Sequence, residues 1–276
     1  MRFVSGTDAD PSWRIEATMM RFVSGTGADV VDFPAGGYRY LAAVFQYSAG
    51  VAAQPGFAIE RVCFAEPRAL EAGFDAVEAF LQSRGRPFTA FCACELRSPA
   101  PFTEQGFVEF NRHYVQRLER WGLYRDGVNP VARTNVCPVF DPPGVPSLHA
   151  FSYTVPSERA ARGTFVIAGG GEAKDGGASY RESIVRFGDT SLDGLRDKVR
   201  HVIGSMERRL APLGFGWGDA TSTQAYTVHD IGPFVRDEIL GRGAARQGLN
   251  WHYCRPPVVD LEFEMDVRGT AVELVI

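Results

Sequence analysis

Residues 251–267 read WHYCRPPVVDLEFEMDV. After the proline pair, apolar residues alternate with acidic ones, which is the period-2 pattern of a β-strand with two unlike faces. One of these faces carries four carboxylates: Asp260, Glu262, Glu264 and Asp266. Like charges two residues apart on a strand repel one another unless cations, hydrogen bonds or water separate them. The stretch is therefore either a strand with a solvated acidic face or one that directs a carboxylate into a pocket, where it handles protons or water.

The composition is that of a globular protein without a basic cluster. The chain has 276 residues, 45% of them hydrophobic, and a formal net charge of −4. This length allows two domains, and mild acidity without a basic cluster argues against binding to nucleic acid or to an anionic membrane. The apolar runs are far shorter than the roughly 20 residues of a membrane-spanning helix, and the start lacks the features of a secretion signal. We therefore expect a soluble, cytoplasmic protein.

The start of the chain contains a near-exact repeat. The ten residues from Met1 return at Met20 with nine of ten identical. Such close identity favours an upstream start or a recent duplication over an old structural repeat, and we expect the native start at Met20 or at the residue before it. Residues 1–32 are therefore predicted to be an N-terminal extension, disordered or non-native, followed by domains at 33–157 and 158–276.

The two predicted domains repeat one order of elements. In each, the apolar spacing predicts strands, an amphipathic helix that ends at glycine, a further strand, a second helix and a last strand after a Pro-Pro turn. Residues 91–102 align without a gap on residues 223–234, and both blocks end in Pro-Phe. We interpret the halves as two copies of one ββαβαβ-like unit of about 110 residues. In this scheme residues 38–51 form one strand and the glycines at 169–171 form a tight turn.

Residues 164–268 resemble the Rid/YjgF family of enamine and imine deaminases in the order of their motifs. The matching segments are the glycine-ended strand 165–170, the helix 191–213, the strand 221–230, the turn 255–257 and the Glu-Phe-Glu of 262–264. The resemblance implies an α+β fold of tandem Rid/YjgF-like (chorismate-mutase-like) domains, each a mixed β-sheet packed against two helices. It also implies a homotrimer with clefts between neighbouring barrels.

The first half is similar to the same family in a different segment. Residues 129–137 read NPVARTNVC, which resembles the family's Pro-Ala-Arg-Ser-x-Val. The resemblance implies that Arg133 grips the substrate carboxylate, which a guanidinium can bind with two parallel hydrogen bonds; the alternative is an ordinary ion pair. The second half lacks this arginine, and the last strand of the first half lacks Glu-x-Glu. We therefore expect one asymmetric site at the junction of the halves.

Over its whole length the chain resembles two-domain deaminases of the 2-aminomuconate type, which act on 2-amino-5-chloromuconate. The segments that carry this likeness are 91–99, 129–133 and 251–266. More distantly, chorismatases share the tandem architecture and a closing segment similar to residues 254–264. The resemblance implies a cofactor-free hydrolytic deaminase of an enamine or imine carboxylate, of the 2-aminomuconate type, that releases ammonia. The alternatives are chorismatase-like cleavage of an enol-pyruvyl ether and a non-catalytic small-ligand-binding module.

The predicted chemistry needs one group that holds the carboxylate and another that orients water and moves protons. Glu262 is the predicted catalytic residue, as a general base or water-positioning group, and Glu264 is the second candidate. A carboxylate in a partly dry cleft can have its pKa raised towards neutrality, which suits both proton acceptance and donation. The candidate substrate-binding residues are Arg133, Arg255, Cys254, His252, Tyr226, His149 and Arg97.

We expect neither a metal nor a cofactor. The sequence has no closely spaced His/Cys motif of a metal site, and the glycines at 169–171 are not followed by the Gly-Lys-Ser/Thr of a phosphate loop. The expected partners are a small-molecule carboxylate and further copies of this chain.

Overall fold

The fold consists of two mixed β-sheets with helices on their outer faces. The computed structural model of the protein describes residues 29–158, 163–174 and 179–276, so residues 1–28 of the predicted N-terminal extension lie outside the described residues, whereas its residues 30–32 belong to the first strand. The strands are β1 (Val30–Phe33), β2 (Tyr38–Leu41), β3 (Gly50–Ala53), β4 (Phe57–Ala69), β5 (Phe91–Arg97), β6 (Ala132–Pro138), β7 (Ser147–Pro156), β8 (Phe165–Gly171), β9 (Ser222–Tyr226), β10 (Asn250–His252), β11 (Cys254–Arg255), β12 (Glu264–Gly269) and β13 (Val272–Val275).

Helices cover the outer face of each sheet. They are α1 (Leu70–Ser83), α2 (Glu104–Arg120), α3 (Tyr180–Ser183), α4 (Leu192–Leu210) and α5 (Gly232–Phe234), with a π-helical turn at Val235–Ile239 and 3-10 turns at Pro34–Gly36, Phe88–Ala90, Ala211–Leu213, Trp217–Asp219 and Leu240–Arg242. The hydroxyls of Thr103 and Ser191 cap α2 and α4 by accepting hydrogen bonds from backbone N–H groups. Of the helices in the described ranges, none is both long and apolar enough to cross a membrane.

The two sheets share a common core topology. Within the described residues, one sheet has the order β1-β2-β3-β8-β12-β9-β10 and the other β11-β6-β5-β7-β4-β13. The run β10-β9-β12-β8 matches the run β6-β5-β7-β4, because the first pair in each is parallel and the remaining pairs are antiparallel. The predicted α+β class is therefore confirmed.

Each half of the chain also contributes strands to the sheet of the other half. The N-terminal strands β1 to β3 join the second-half sheet through β3 and β8, and β13 joins the first-half sheet beside β4. β10 and β11 follow each other in the chain but belong to different sheets. The division into domains at residue 157 stays a prediction.

The predicted strand at 38–51 is wrong, because the chain forms two strands there. β2 ends at Leu41 and β3 begins at Gly50. Between them, Ser48 bridges to Ala132 of β6, and its N–H donates to the carbonyl of Val131 at 2.9 Å. The intervening segment therefore connects the two sheets instead of continuing one strand.

The predicted tight turn at the three glycines is also wrong, because these glycines lie inside β8. A Cβ at Gly169 would collide with the carboxylate of Glu264, and a Cβ at Gly170 would crowd the guanidinium of Arg209 at 2.9 Å. Glycine is used here because charged groups approach the strand backbone closely.

The acidic stretch becomes a strand later than its alternation predicts. Asp260 has a left-handed φ of 72°, in a turn that precedes β12, and the strand itself begins at Glu264. Glu262 and Glu264 therefore do not lie on one continuous strand. The strand's acidic residues are not on a solvated face, since Glu264 and Asp266 are both buried.

Candidate active site

Arg133 is a buried arginine surrounded by aromatic rings. It lies on β6 and is only 3% exposed. Its guanidinium carbon lies 4.6–5.8 Å from the centroids of four aromatic rings: Tyr47, Phe107, Phe110 and Tyr114. Across residues 29–158, 163–174 and 179–276, neither Nη1 nor Nη2 has a hydrogen-bond partner.

This arrangement is suited to receiving an anion. An unpaired buried charge is costly, and cation–π contacts offset only about 0.5–2 kcal/mol each. Two free terminal nitrogens match the two oxygens of a carboxylate. Arg133 is therefore the strongest candidate for a carboxylate-binding group, as its sequence segment predicted.

Glu264 lies where the two sheets touch. Its Oε1 occupies the space that a Cβ at Gly169 would take, and the Cα of Thr134 on β6 borders the same space. Burial, followed by the neighbouring carboxylate of Asp266, raises the pKa of Glu264 well above its usual range. The positive charge of Arg133 opposes this rise in the pKa of Glu264, which places both groups in one electrostatic environment. Glu264 can thus hold a proton where an exposed glutamate would have lost it.

A network of paired charges lies between the sheets beside Glu264. Arg268 contacts Asp266 at 3.2 Å and also binds Glu95. Arg61 donates two further hydrogen bonds to Glu95, at 2.6 and 2.9 Å. Burial acts against ionisation of Glu95, but Arg268 and Arg61 hold its pKa well below the usual range. These charges are matched internally, unlike that of Arg133.

Three predicted substrate-binding residues lie next to this network. Tyr226 donates a hydrogen bond to Asp266 at 2.8 Å, and its ring stacks on His252 with centroids 5.0 Å apart. The guanidinium carbon of Arg97 lies 5.8 Å from the centroid of the Tyr226 ring. Burial, followed by Arg97, lowers the pKa of His252. His252 is therefore a neutral hydrogen-bonding group, and its Nε2 lies 2.7 Å from the Oε1 of Gln224.

The cysteines of this region are protonated thiols. Cys254 packs with Val136 and Tyr226, and burial raises its pKa. Burial, followed by the charge of Glu264, raises the pKa of Cys137 to about 12. Neither has the lowered pKa of a nucleophilic cysteine. The described part of the chain contains no group of three or more His, Cys, Asp or Glu side chains placed to hold a metal ion.

His149 lies on β7 near the same charges. Its Nε2 is 3.6 Å from the Sγ of Cys63. Burial, followed by Arg97, lowers the pKa of His149 to about 3. An imidazole that stays neutral under these conditions cannot provide a cationic contact for a carboxylate.

Glu262 and Arg255 lie at the more open edge of the site. The Oε2 of Glu262 is 2.7 Å from the Nε2 of His229 and 3.5 Å from Nη1 of the half-exposed Arg255. The carboxylate predicted to be catalytic is thus already paired. The second candidate, Glu264, is the one enclosed near Arg133.

Sequence reasoning missed the residues that surround these two groups. Of the aromatic rings around Arg133, Phe107, Phe110 and Tyr114 fit the apolar face of a helix and Tyr47 lies in the predicted strand 38–51, so none of them indicates a site. One signal was present: Lys198 lies within the apolar face of α4, between Leu195 and Val202.

The chain matches known deaminases along almost its whole length. It matches the family described as 2-aminomuconate deaminase CnbZ over residues 30–274. It is 59% identical over 249 residues to a 2-amino-5-chloromuconate deaminase of Comamonas testosteroni, covering 90% of this chain and 99% of that protein.

Solved structures are less similar. A chorismatase has a TM-score of 0.48 and 13% identity, covering 80% of this chain and 77% of its own. A cyanuric acid hydrolase from A. caulinodans has a TM-score of 0.36 and 12% identity, covering 78% of this chain and 67% of its own. At this level neither structure establishes a shared fold.

The sequence match decides between the classes of function considered above. A match to an enzyme family over this length confirms the prediction of an enzyme that acts on C–N bonds and argues against the non-catalytic binding module. The chain belongs to the 2-aminomuconate deaminase family.

Proposed function

We propose that this protein hydrolyses the C–N bond of a 2-aminomuconate-type dicarboxylate without a cofactor and releases ammonia. The observation that carries the proposal is Arg133, a buried guanidinium whose terminal nitrogens lack partners among the described residues. The high identity to a 2-amino-5-chloromuconate deaminase supports the substrate class.

Arg133 would bind the carboxylate next to the carbon that carries the amino group. Two parallel hydrogen bonds fix both the position and the plane of that carboxylate. The reacting carbon is then one bond from the clamp, and Glu264 acts in the same electrostatic environment. Such positioning is the main requirement of a reaction in which water is the second reactant.

The reaction then proceeds by proton transfers. A proton adds to a carbon of the conjugated chain while the amino nitrogen loses one, which turns the enamine into an imine. Water adds to the imine carbon, its oxygen forms the new C–O bond, and the nitrogen regains a proton. The remaining hydroxyl proton moves to nitrogen as the C–N bond breaks, leaving a 2-oxo acid and ammonia. One group that alternates between acid and base serves all these steps.

Glu264 is better placed than Glu262 for that role. Its raised pKa allows it to donate a proton first and to accept one from water afterwards. Glu262 already pairs with His229 and Arg255. We assign Glu262 a structural role, in which it holds His229 and Arg255 in place at the edge of the site.

The second carboxylate of the substrate needs another cation. Arg97 is buried, and its guanidinium contacts Glu95 at 3.9 Å and the carbonyl of Leu96 at 3.0 Å. Arg255 is half exposed and holds Glu262 at 3.5 Å. Arg255 can exchange this contact for a substrate carboxylate at lower cost, so we assign it to the distal carboxylate.

We further propose that the two halves are Rid-like units and that the chain assembles as a homotrimer. The matching strand orders of the two sheet cores support the first part. Support for assembly comes from Phe140, which is 77% exposed and stacks on the half-exposed Tyr253 at 5.5 Å. Exposed aromatic pairs of this kind are typical of protein interfaces.

An ammonia-release assay with 2-aminomuconate, together with the loss of its conjugated-diene absorbance, tests the function. We expect both signals from the native protein and their loss in Arg133→Ala and Glu264→Gln, whereas Glu262→Gln keeps measurable activity. Pyruvate release from chorismate without ammonia release from aminomuconate would overturn the proposal. Full activity in both Arg133→Ala and Glu264→Gln would overturn the site.

A further inference from the structure

Glu172 is a fully buried carboxylate that the reaction described above does not use. It directly follows β8 and is 0% exposed. Its Oε1 accepts the backbone N–H of Glu262 at 2.7 Å, and its Oε2 accepts the N–H of Phe263 at 3.1 Å. One side chain thus binds two successive peptide groups of the acidic stretch.

The counter-charge for Glu172 comes from α4. Lys198 is also 0% exposed, and its Nζ lies 3.2 Å from the Oε1 of Glu172. The same Nζ donates a hydrogen bond to the carbonyl of Val185 at 2.8 Å. A fully buried ion pair, with its lysine on the otherwise apolar face of α4, is expensive, and apolar residues of similar size often serve stability equally well. Their presence points to a requirement other than stability.

The segment that these groups bind has little other support. Residues 261–263 precede β12 and belong to no strand of the described chain. A buried N–H group needs an acceptor, and Glu172 supplies one for two of these residues. From the other side, Thr227 donates its hydroxyl to the carbonyl of Glu262 at 2.7 Å. The backbone leading into Glu264 is therefore held mainly by side chains.

We propose that Glu172 and Lys198 form a positioning pair that fixes the backbone of residues 262–263 and thereby the direction in which Glu264 enters the site. This inference rests on the proposed role of Glu264 in deamination. Through Glu264, the pair controls the catalytic step and not the binding of the substrate carboxylate, which belongs to Arg133.

Burial raises the pKa of Glu172 as well, but Lys198 and the N–H groups of residues 262 and 263 oppose this rise, and the ionised form of Glu172 acts on Glu264. Burial is the largest cause of the raised pKa of Glu264, and Glu172 adds to it. The charged and titratable groups around Glu264 are Asp266 on its own strand, Arg209 on α4, Glu172 after β8, Arg133 and Cys137 on β6, and Cys254 on β11. Removing the charge of Glu172 takes away one of the two carboxylates that raise the pKa of Glu264, so this pKa falls.

The test compares the native protein with Glu172→Gln and Lys198→Met, using Arg200→Met as the control. Arg200 lies two residues after Lys198 on α4 and pairs with Glu238 at 2.6 Å, away from the acidic stretch. We expect kcat to fall by about 100-fold in both test variants, as a misplacement of about 1 Å would cause, with KM changed less than about twofold. We expect Arg200→Met to keep native kcat and KM.

A titration by carbon-13 NMR of the glutamate carboxyls provides a readout independent of turnover. The Glu264 signal is identified by its absence from Glu264→Gln, and its pKa should fall in Glu172→Gln. Unchanged kcat together with an unchanged Glu264 titration would overturn the positioning pair. If the native protein releases no ammonia from aminomuconate, the proposed function fails while the titration still decides this inference.

Glu172→Asp covers the case in which Glu172→Gln does not fold. It keeps the charge but is one methylene shorter, so it cannot reach both N–H groups. We expect kcat to fall while the pKa of Glu264 stays raised. Native kcat in Glu172→Asp would overturn the positioning role.

Discussion

The carboxylate of Glu264 lies in the space that the Cβ of any residue other than glycine would occupy at position 169. The acid and the glycine come from adjacent regions of one sheet, on β12 and β8. A side chain at position 169 would therefore displace the carboxylate of Glu264. The glycine run is thus part of the site and not a local feature of the backbone.

Substitution of this glycine should reduce activity more than stability. In Gly169→Ala the new methyl group displaces the carboxylate of Glu264, and kcat should fall by about 100-fold. The cost in unfolding free energy should be about 1–3 kcal/mol, as for other overpacked sites. Gly144→Ala is the control, because a Cβ there meets no atom within 4 Å. Steady-state kinetics and urea denaturation provide the measurements, and native kcat in Gly169→Ala would contradict the assignment.

Replacement of Arg133 should stabilise the ligand-free protein while removing its function. Arg133→Met removes an unpaired buried charge, so we expect the free energy of unfolding to rise by about 1–3 kcal/mol. Binding of a dicarboxylate should weaken by roughly 10- to 150-fold.

The control for this change is Arg117→Met. Arg117 is a buried arginine of α2 that does have partners, Glu71, Asp75 and Glu78, at 2.6–3.0 Å. The free energy of unfolding should fall in Arg117→Met, whereas it should rise in Arg133→Met. Thermal denaturation with and without muconate measures both effects; equal loss of stability in the two variants would refute the prediction.

Stability should depend on pH through Glu264. Its pKa is raised in the folded protein, so the folded state binds more protons than the unfolded state between the ordinary value and the raised one. The stabilising contribution is fully present below the unfolded pKa, near about 4.3, and is lost as pH rises through the folded pKa. Glu264→Gln should therefore gain stability relative to the native protein as the pH rises above the ordinary pKa of a glutamate. Melting temperatures of the two proteins, measured as the pH rises, test the direction of this change in stability. If the two curves stay parallel, Glu264 is ionised in the folded protein and the prediction is wrong.

Within the charge network between the sheets, a buried ion pair should contribute more to the free energy of unfolding than an exposed one. Glu95→Gln leaves Arg61 and Arg268 without their shared partner, and we expect a loss of about 3–5 kcal/mol. Glu273 also pairs with Arg61, at 3.4 Å, but its side chain is 47% exposed. Glu273→Gln should cost less than about 1 kcal/mol. Urea titrations of both variants provide the comparison, and similar losses would argue against a network set by burial.

Assembly should depend on the exposed aromatic pair. Phe140→Asp places a charge where Phe140 stacks on Tyr253, and we expect the mass measured by light scattering to fall to that of a single chain. Leu192→Asp is the control, because Leu192 is an exposed apolar residue at the first turn of α4, where an acidic residue is favourable. A native mass in Phe140→Asp would remove this surface from the proposed interface.

Local signals predicted most of the elements of the fold. The glycine stops predicted after both helices are confirmed, since Gly122 and Gly214 adopt left-handed φ, and α4 begins directly after Ser191, the first residue of the predicted helix 191–213. The periodicity of residues 264–267 correctly predicted a strand. These signals involve neighbours in the chain and need no knowledge of tertiary contacts.

The errors concern contacts between distant residues. The acidic stretch alone left open whether its carboxylates face solvent or a pocket, because nothing in it shows that Arg268 and Thr134 contact Asp266 in the interior. The glycines of β8 resemble a turn in the sequence, because the group that requires glycine at position 169 is a carboxylate some 95 residues later. Arg133 was found only through its motif, since the rings around it come from other elements.

β12 lies between β8 and β9 in its sheet, and it follows both of them in the chain. During synthesis on the ribosome, which proceeds from the N-terminus, the arginine clamp emerges long before the carboxylate. Until β12 is made, the edges of β8 and β9 have open hydrogen-bonding groups, which is the state most exposed to mispairing with another nascent chain. Insertion of β12 pairs both of these edges and at the same time brings Glu264 into the site. The arginine and the carboxylate of the candidate site therefore cannot come together before this last central strand is in place.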